Sequence, residues 1–138
     1  KKSAASEPLH LEAAIEYAHI RANICEVSAH DDQYLFFLNR IKEDYLSEHD
    51  PMVREYHAKL EQDEAKKELY DNYMAYIDAE ILRMKARIEL KKNRLSSAEE
   101  LNAQALGKLA EVKNRDSITP YLNEKVQGSI QNIDYTSR

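Results

Sequence analysis

The residues of this chain best suited to chemistry lie in one short stretch, "EYAH", where Glu16 and His19 are three apart and Glu12 precedes Glu16 by one helical turn. On a helix that spacing gathers all three side chains on one face. Di-iron carboxylate bundles use such a Glu-x-x-His motif twice, with two further glutamates on other helices. Here it occurs once. Glu55 and His57 are two apart and diverge around a helix, and Glu48 with His49 fares no better, so a solvated face is the simpler reading and neither metal nor other cofactor is expected.

Catalytic grammar is equally thin. The sequence has no GxSxG, Walker loop or HExxH, and its two glycines leave few of the tight turns that expose nucleophiles and oxyanion donors. No residue is assigned a catalytic role, and a non-enzymatic protein is expected. Cys25, the single cysteine, excludes an internal disulfide and a paired-cysteine zinc site, and among Ala22, Ile24 and Val27 it reads as a small buried thiol. That is compatible with a reducing compartment without excluding export, and the chain opens on Lys1 rather than Met, as removal of a signal, an anchor or an upstream segment would leave it.

Three other features bear on binding. Arg83, Lys85, Arg87, Lys91, Lys92 and Arg94 form a basic cluster that would complement a helix C-terminus; the net charge of −5 argues against a general nucleic-acid binder. Nine tyrosines are present, and Tyr70, Tyr73 and Tyr76 drift around a helix, so at least one is expected to reach the surface. In "YLFFLNRI", Tyr34, Phe37, Leu38 and Ile41 account for one face and leave Leu35 and Phe36 to be covered from another side or exposed as a contact patch.

The elements that must carry these residues are helical. With two glycines, three prolines and no tryptophan in 138 residues, the chain lacks the turn residues a sheet requires, and its 43% hydrophobic content suits amphipathic helices in one domain spanning 1–138. No apolar run approaches the roughly 20 residues of a membrane span. "SEPLH", "HDPMV" and "ITPYL" read as helix starts with proline at the first turn and Asp50 or Thr119 as cap; "SSAEE" supplies a fourth through Ser97 and Glu100. The expected segments are 9–48, with a break near "HDDQ" where Asp31 caps a second piece, then 51–94, 97–114 and 120–133, with 1–8 flexible and 134–138 a frayed tail.

The segment 51–94 contains no residue that forces a stop, and at about 1.5 Å per residue it would reach about 65 Å. Val53, Leu60, Lys67, Met74, Ile81 and Ile88 share one heptad position and Tyr56, Asp63, Tyr70, Ile77 and Met84 the other; only Asp63 and Lys67 break the apolar seam, and whether 61–68 is helix or loop is open. Helix one offers the stripe Leu11, Ile15, Ala18, Ala22, Cys25 and Ala29 and a second formed by Tyr17, Ile20, Ile24 and Val27, which would make it central. Folding at "SEHDP" would bring Lys66 or Lys67 to Asp31 or Asp32. Leu101, Ala105, Leu109 and Val112, and then Leu122, Val126, Ile130 and Ile133, face two closing helices.

The fold class is therefore all-α, a long antiparallel hairpin or elongated bundle with two shorter C-terminal helices. The expected function is a helical interaction protein, a subunit, adaptor or accessory component that meets a protein partner or its own copy. The expected contact residues are Phe36, Tyr70, Tyr73, Met74, Tyr76, Ile77, Ile81, Met84 and Ile88, with Asp at 77 or 81 abolishing association and Lys91→Glu changing little. A ligand-binding bundle, with a cavity beside Ala18, Ala22 and Ala29 opposite Tyr and Met side chains, is the alternative from another class, and a metal-carboxylate bundle the third.

Overall fold

Proline and acid-capped starts set the frame. In a computed structural model describing residues 8–24, 29–47 and 49–136, α1 (Pro8–Asn23), α3 (Pro51–Leu60) and α6 (Pro120–Thr136) each begin on proline. Asp50 accepts the Met52 amide at 2.9 Å and Thr119 Oγ1 accepts the Leu122 amide at 3.1 Å, so both expected caps form. Between them lie α2 (His30–Leu46), α4 (Glu64–Lys91) and α5 (Leu95–Lys113). The described residues form six helices and no strand, an all-α bundle. No helix among them is long and apolar enough to cross a membrane.

Three boundaries differ from the sequence reading, each for a local reason. The segment 51–94 breaks at Glu61 and Gln62, because Asp63 leaves the helix to cap α4 by accepting the Lys66 amide at 3.2 Å. The first segment breaks before His30, not at Asp31, which sits buried in the first turn of α2 rather than capping it. α5 starts two residues early on Arg94, without a side-chain cap, since the Ser97 hydroxyl is spent on Glu89 at 3.0 Å. α6 continues to Thr136, past the expected fraying point; the expectations for 1–7, 137, 138 and Cys25 fall outside the described residues.

α4 is the central element. Its residues 72–77 are all buried, a run longer than any one helix face, and it packs against α1, α2, α3, α5 and α6. The expectation that α1 occupies this place is overturned. α1 buries only Leu11, Ile15, Ala18 and Ala22 and leaves Tyr17 and Ile20 of its second stripe to solvent, with Ile24 exposed just past its end; Val27 falls outside the described residues.

α3 changes the register expected of α2 and α4. It turns back beneath them, with His57 Nε2 donating to the Tyr45 carbonyl at 2.7 Å and the Tyr70 hydroxyl donating to the same oxygen at 3.3 Å. The rings of Tyr45, Tyr56, His57 and Tyr70 meet edge to face at 5.2–6.3 Å and close that end of the core. Tyr45 is therefore level with Tyr70, and Asp31 meets Arg87 and Lys91 rather than Lys66 or Lys67. Lys67 instead pairs with Glu61 at 3.0 Å across the α3–α4 bend. Arg87 lies about 30 Å along the helix axis from Lys67, which removes the expected pairing.

α4 and α5 form a hairpin whose turn depends on Asn93, at φ 60°. The Asn93 amide bonds to the Leu90 carbonyl and the Arg94 amide to Glu89, a Schellman closure with asparagine in the left-handed position. Asn93→Gly should be neutral or slightly stabilising, whereas Asn93→Val should cost about 1–2 kcal/mol, because a β-branched side chain clashes in that region. Urea unfolding of the two variants against the parent checks the sign of each.

Candidate functional site

The "EYAH" face folds inward as a set of latches. Glu12 accepts from the Tyr73 hydroxyl and, at 3.3 Å, from Thr119; Glu16 accepts from the Tyr121 hydroxyl and pairs with Lys125 at 3.2 Å. The Tyr121 hydrogen bond is the main reason the Glu16 carboxyl lies below its ordinary range. These acids thus tie α1 to α4 and α6. Among the described residues no three His, Cys, Asp or Glu side chains converge as a metal site.

His19 belongs to a different network, centred on a residue that no sequence motif marks. Glu80 of α4 is 1% exposed. Arg83 grips it side-on, Nε to Oε2 at 2.8 Å and Nη2 to Oε1 at 2.9 Å, while Tyr34 of α2 donates to Oε1 at 2.9 Å and Ser129 of α6 to Oε2 at 2.7 Å. Burial by itself pushes this carboxyl up, but the Arg83 guanidinium and the two hydroxyls together hold it below the ordinary value. With the Tyr34 proton on Glu80, the 3.0 Å contact with His19 is made by His19 donating from Nε2. Burial, then the nearby Lys125, keeps that imidazole below its usual pKa.

One side of this network opens to solvent. A cleft of about 610 Å³ lies between α1, α4 and α6, lined by His19, Tyr76, Glu80, Arg83, Lys125 and Ser129 among others. It is not the cavity expected beside Ala18 and Ala22, which are packed solid with no exposure.

A second buried acid, Asp31, is held by His30 Nδ1 at 3.1 Å, Arg87 Nε at 3.0 Å and Lys91 Nζ at 3.0 Å. Burial opposes its ionisation, yet Lys91, His30 and Arg87 outweigh it and lower its pKa. The basic cluster is thus partly consumed inside the fold: Arg83 serves Glu80, and Arg87 and Lys91 serve Asp31. Lys91→Glu would set a like charge against a buried carboxylate, so its effect on the stability of the fold is not small.

The expected contact residues separate into two sets. Tyr70, Tyr73, Met74, Tyr76, Ile77, Ile81 and Met84 are buried in the chain's own core, and Ile88 is half-buried. Contrary to expectation, none of the three α4 tyrosines reaches the surface, because neighbouring helices cover the middle of α4 on all sides. An Asp at 77 or 81 would report unfolding, not loss of a docking face. Phe36 alone stays open, at 51% exposure, and it is joined by residues the contact set omitted: Tyr17 at 56%, Ile20 at 59% and Ile24 at 67%. Asn23 with His30, His19 with Tyr34 and Tyr17 with Phe37 mark α1 and α2 as an antiparallel pair. Ring contacts run Tyr17 to Phe37 at 5.8 Å and Phe37 to Phe36 at 5.3 Å, making one apolar strip across that pair. The signal was present in the sequence as the second stripe of helix one. Other exposed apolar residues, Leu46, Met52 and Leu95, sit singly at helix ends.

Glu80→Ala should destabilise the fold by about 3–5 kcal/mol, since it strands the Arg83 charge, and adding Arg83→Met should recover part of that loss in a double-mutant cycle by chemical denaturation. Acid should weaken the fold in two stages. His19, with its pKa lowered by folding, is protonated more readily in the unfolded chain, so stability starts to fall below the ordinary value of 6.5. Glu80 and Asp31, also lowered, contribute stability above their ordinary values of 4.5 and 3.8 that is lost as pH drops through their folded values. Unfolding curves from pH 8 to 3 should show both stages, and His19→Gln should remove the upper one. No known protein family matches this chain, nor does any curated protein or solved structure.

Proposed function

We propose that this protein is a non-enzymatic helical interaction protein that docks through the outer face of α1 and α2. The observation that carries the reading is the strip of Tyr17, Ile20, Ile24 and Phe36, each more than half exposed on one continuous face. Large apolar side chains gathered this way mark contact sites more often than side chains scattered singly. The heptad seam that first suggested an interface is used within the fold, so the interaction role moves outward to this strip.

The rim favours a second copy as the occupant. Arg40 and Asp44 border a hollow of about 300 Å³ with Ala14, Tyr17, Phe37 and Ile41. Two copies related by a two-fold axis can pair each of these charges with its opposite, a self-complementary arrangement that a partner of uniform charge does not match. In the assembly this makes the chain a structural subunit.

Light scattering on a sizing column should show a dimer that grows from low to high micromolar concentration. Ile20→Asp combined with Phe36→Asp should hold the chain monomeric with a thermal midpoint close to the parent's, because both residues are exposed in the monomer and surface changes usually shift stability within about 0.5 kcal/mol. A parent monomeric across the whole range refutes self-docking on this face.

A further inference from the structure

We infer that the cleft between α1, α4 and α6 is a binding site for a small organic monocarboxylate carrying hydroxyl groups, anchored on Arg83. Its basis is the way Glu80 uses the guanidinium. The side-on grip takes the Nε proton and one proton of Nη2. That leaves both Nη1 protons and the second Nη2 proton as an end-on fork, for which no described residue acts as acceptor. A guanidinium fork of this kind matches the two oxygens of a carboxylate. Arg83 lines the cleft while its side chain is only 13% exposed, so its stem is fixed by packing and its head by Glu80. Binding there immobilises nothing that folding has not already immobilised.

The remaining wall sets the ligand's character. Arg83 is balanced by Glu80 and Lys125 by Glu16, and Glu124 adds a negative charge, so the cleft offers no surplus of cations for a dianion. One carboxylate on the fork suits it better than a phosphate. Asn132 donates its amide nitrogen to the Gly128 carbonyl at 3.0 Å and so presents its oxygen to a ligand hydroxyl. Gly128 stands in the same wall, with open space where a Cβ would project. Glycine in mid-helix costs about 0.5–1 kcal/mol relative to alanine.

The test is a titration of the full chain with sodium gluconate, at ionic strength held constant with sodium chloride, followed by nitrogen–proton NMR at the Arg83 Nε–H and the Gly128 and Ser129 amides. Saturable shifts in the millimolar range are expected. Gly128→Leu, which adds a bulky side chain to the cleft lining at a position free of steric conflict, should weaken binding at least about tenfold, the equivalent of about 1.4 kcal/mol. Arg83→Lys keeps the charge but removes the fork and should abolish saturation; if that variant does not fold, Gly128→Leu decides alone. Shifts that stay linear, binding unchanged in Gly128→Leu, or inorganic phosphate saturating the same signals as tightly as gluconate would each overturn the proposal.

Discussion

A carboxylate taken fully out of water organises this fold. Removing Glu80 from solvent costs several kcal/mol unless its oxygens regain donors, and the fold regains them from Arg83, Tyr34 and Ser129. Each donor comes from a fixed place, α4 itself, α2 and α6, and His19 extends the chain to α1. A slide of any of these helices by one turn, about 5.4 Å, would leave a buried charge with an unfilled lone pair. Hydrophobic burial alone tolerates such slides, because Leu, Ile and Ala surfaces are interchangeable in a way that paired charges are not. The ionic network therefore selects one packing from the several that the apolar stripes would accept.

The same logic repeats at the periphery with smaller stakes. Asp31 locks the start of α2 to the end of α4, where its negative charge also meets the positive end of its own helix dipole. Ser117 in the α5–α6 connection gives its amide to Glu68 at 2.6 Å and receives the Asn72 amide on its carbonyl. Glu12 and Glu16 fix α1. Apart from the Asn72–Ser117 bond, each of these contacts has an acid accepting from a tyrosine, serine, threonine or cation on a neighbouring helix or connection. Acids that look like candidate metal ligands along the chain thus have their lone pairs committed to holding helices together.

Much of the fold was legible because it rests on local chemistry. Prolines after Asp50 and Thr119, the apolar seam from Tyr70 to Met84 and the faces of α5 and α6 all depend on residues close in sequence. The break at Asp63 was marked by its polar run but not decided, since the choice between continuing a helix and capping a new one is nearly balanced until α3 packs beneath α2. Register was misread for the same reason: inserting α3 shifts every α2–α4 pairing, and an ion-pair argument that ignores the insertion sends Asp31 to the wrong lysine. Glu80 was invisible because its burial depends on three other helices. A glutamate between Ala79 and Ile81, three residues before an arginine, also describes an ordinary exposed pair.

The heptad seam illustrates what periodicity does and does not encode. A repeating apolar stripe states that a helix face must be covered; it says nothing about whose helix covers it. That is settled by counting faces against available elements. α4 presents apolar or small residues on every side and recruits five helices, which leaves α1 at the edge with one stripe buried and the other open. The surplus face of the molecule is thus set by competition for the central position, and it falls on α1, whose buried stripe of Leu11, Ile15, Ala18 and Ala22 is half alanine and lets it approach α2 closely. An interaction surface read from the strongest stripe is for that reason misplaced in a bundle of this kind: the strongest stripe is consumed first, and docking capacity remains with the stripe that lost.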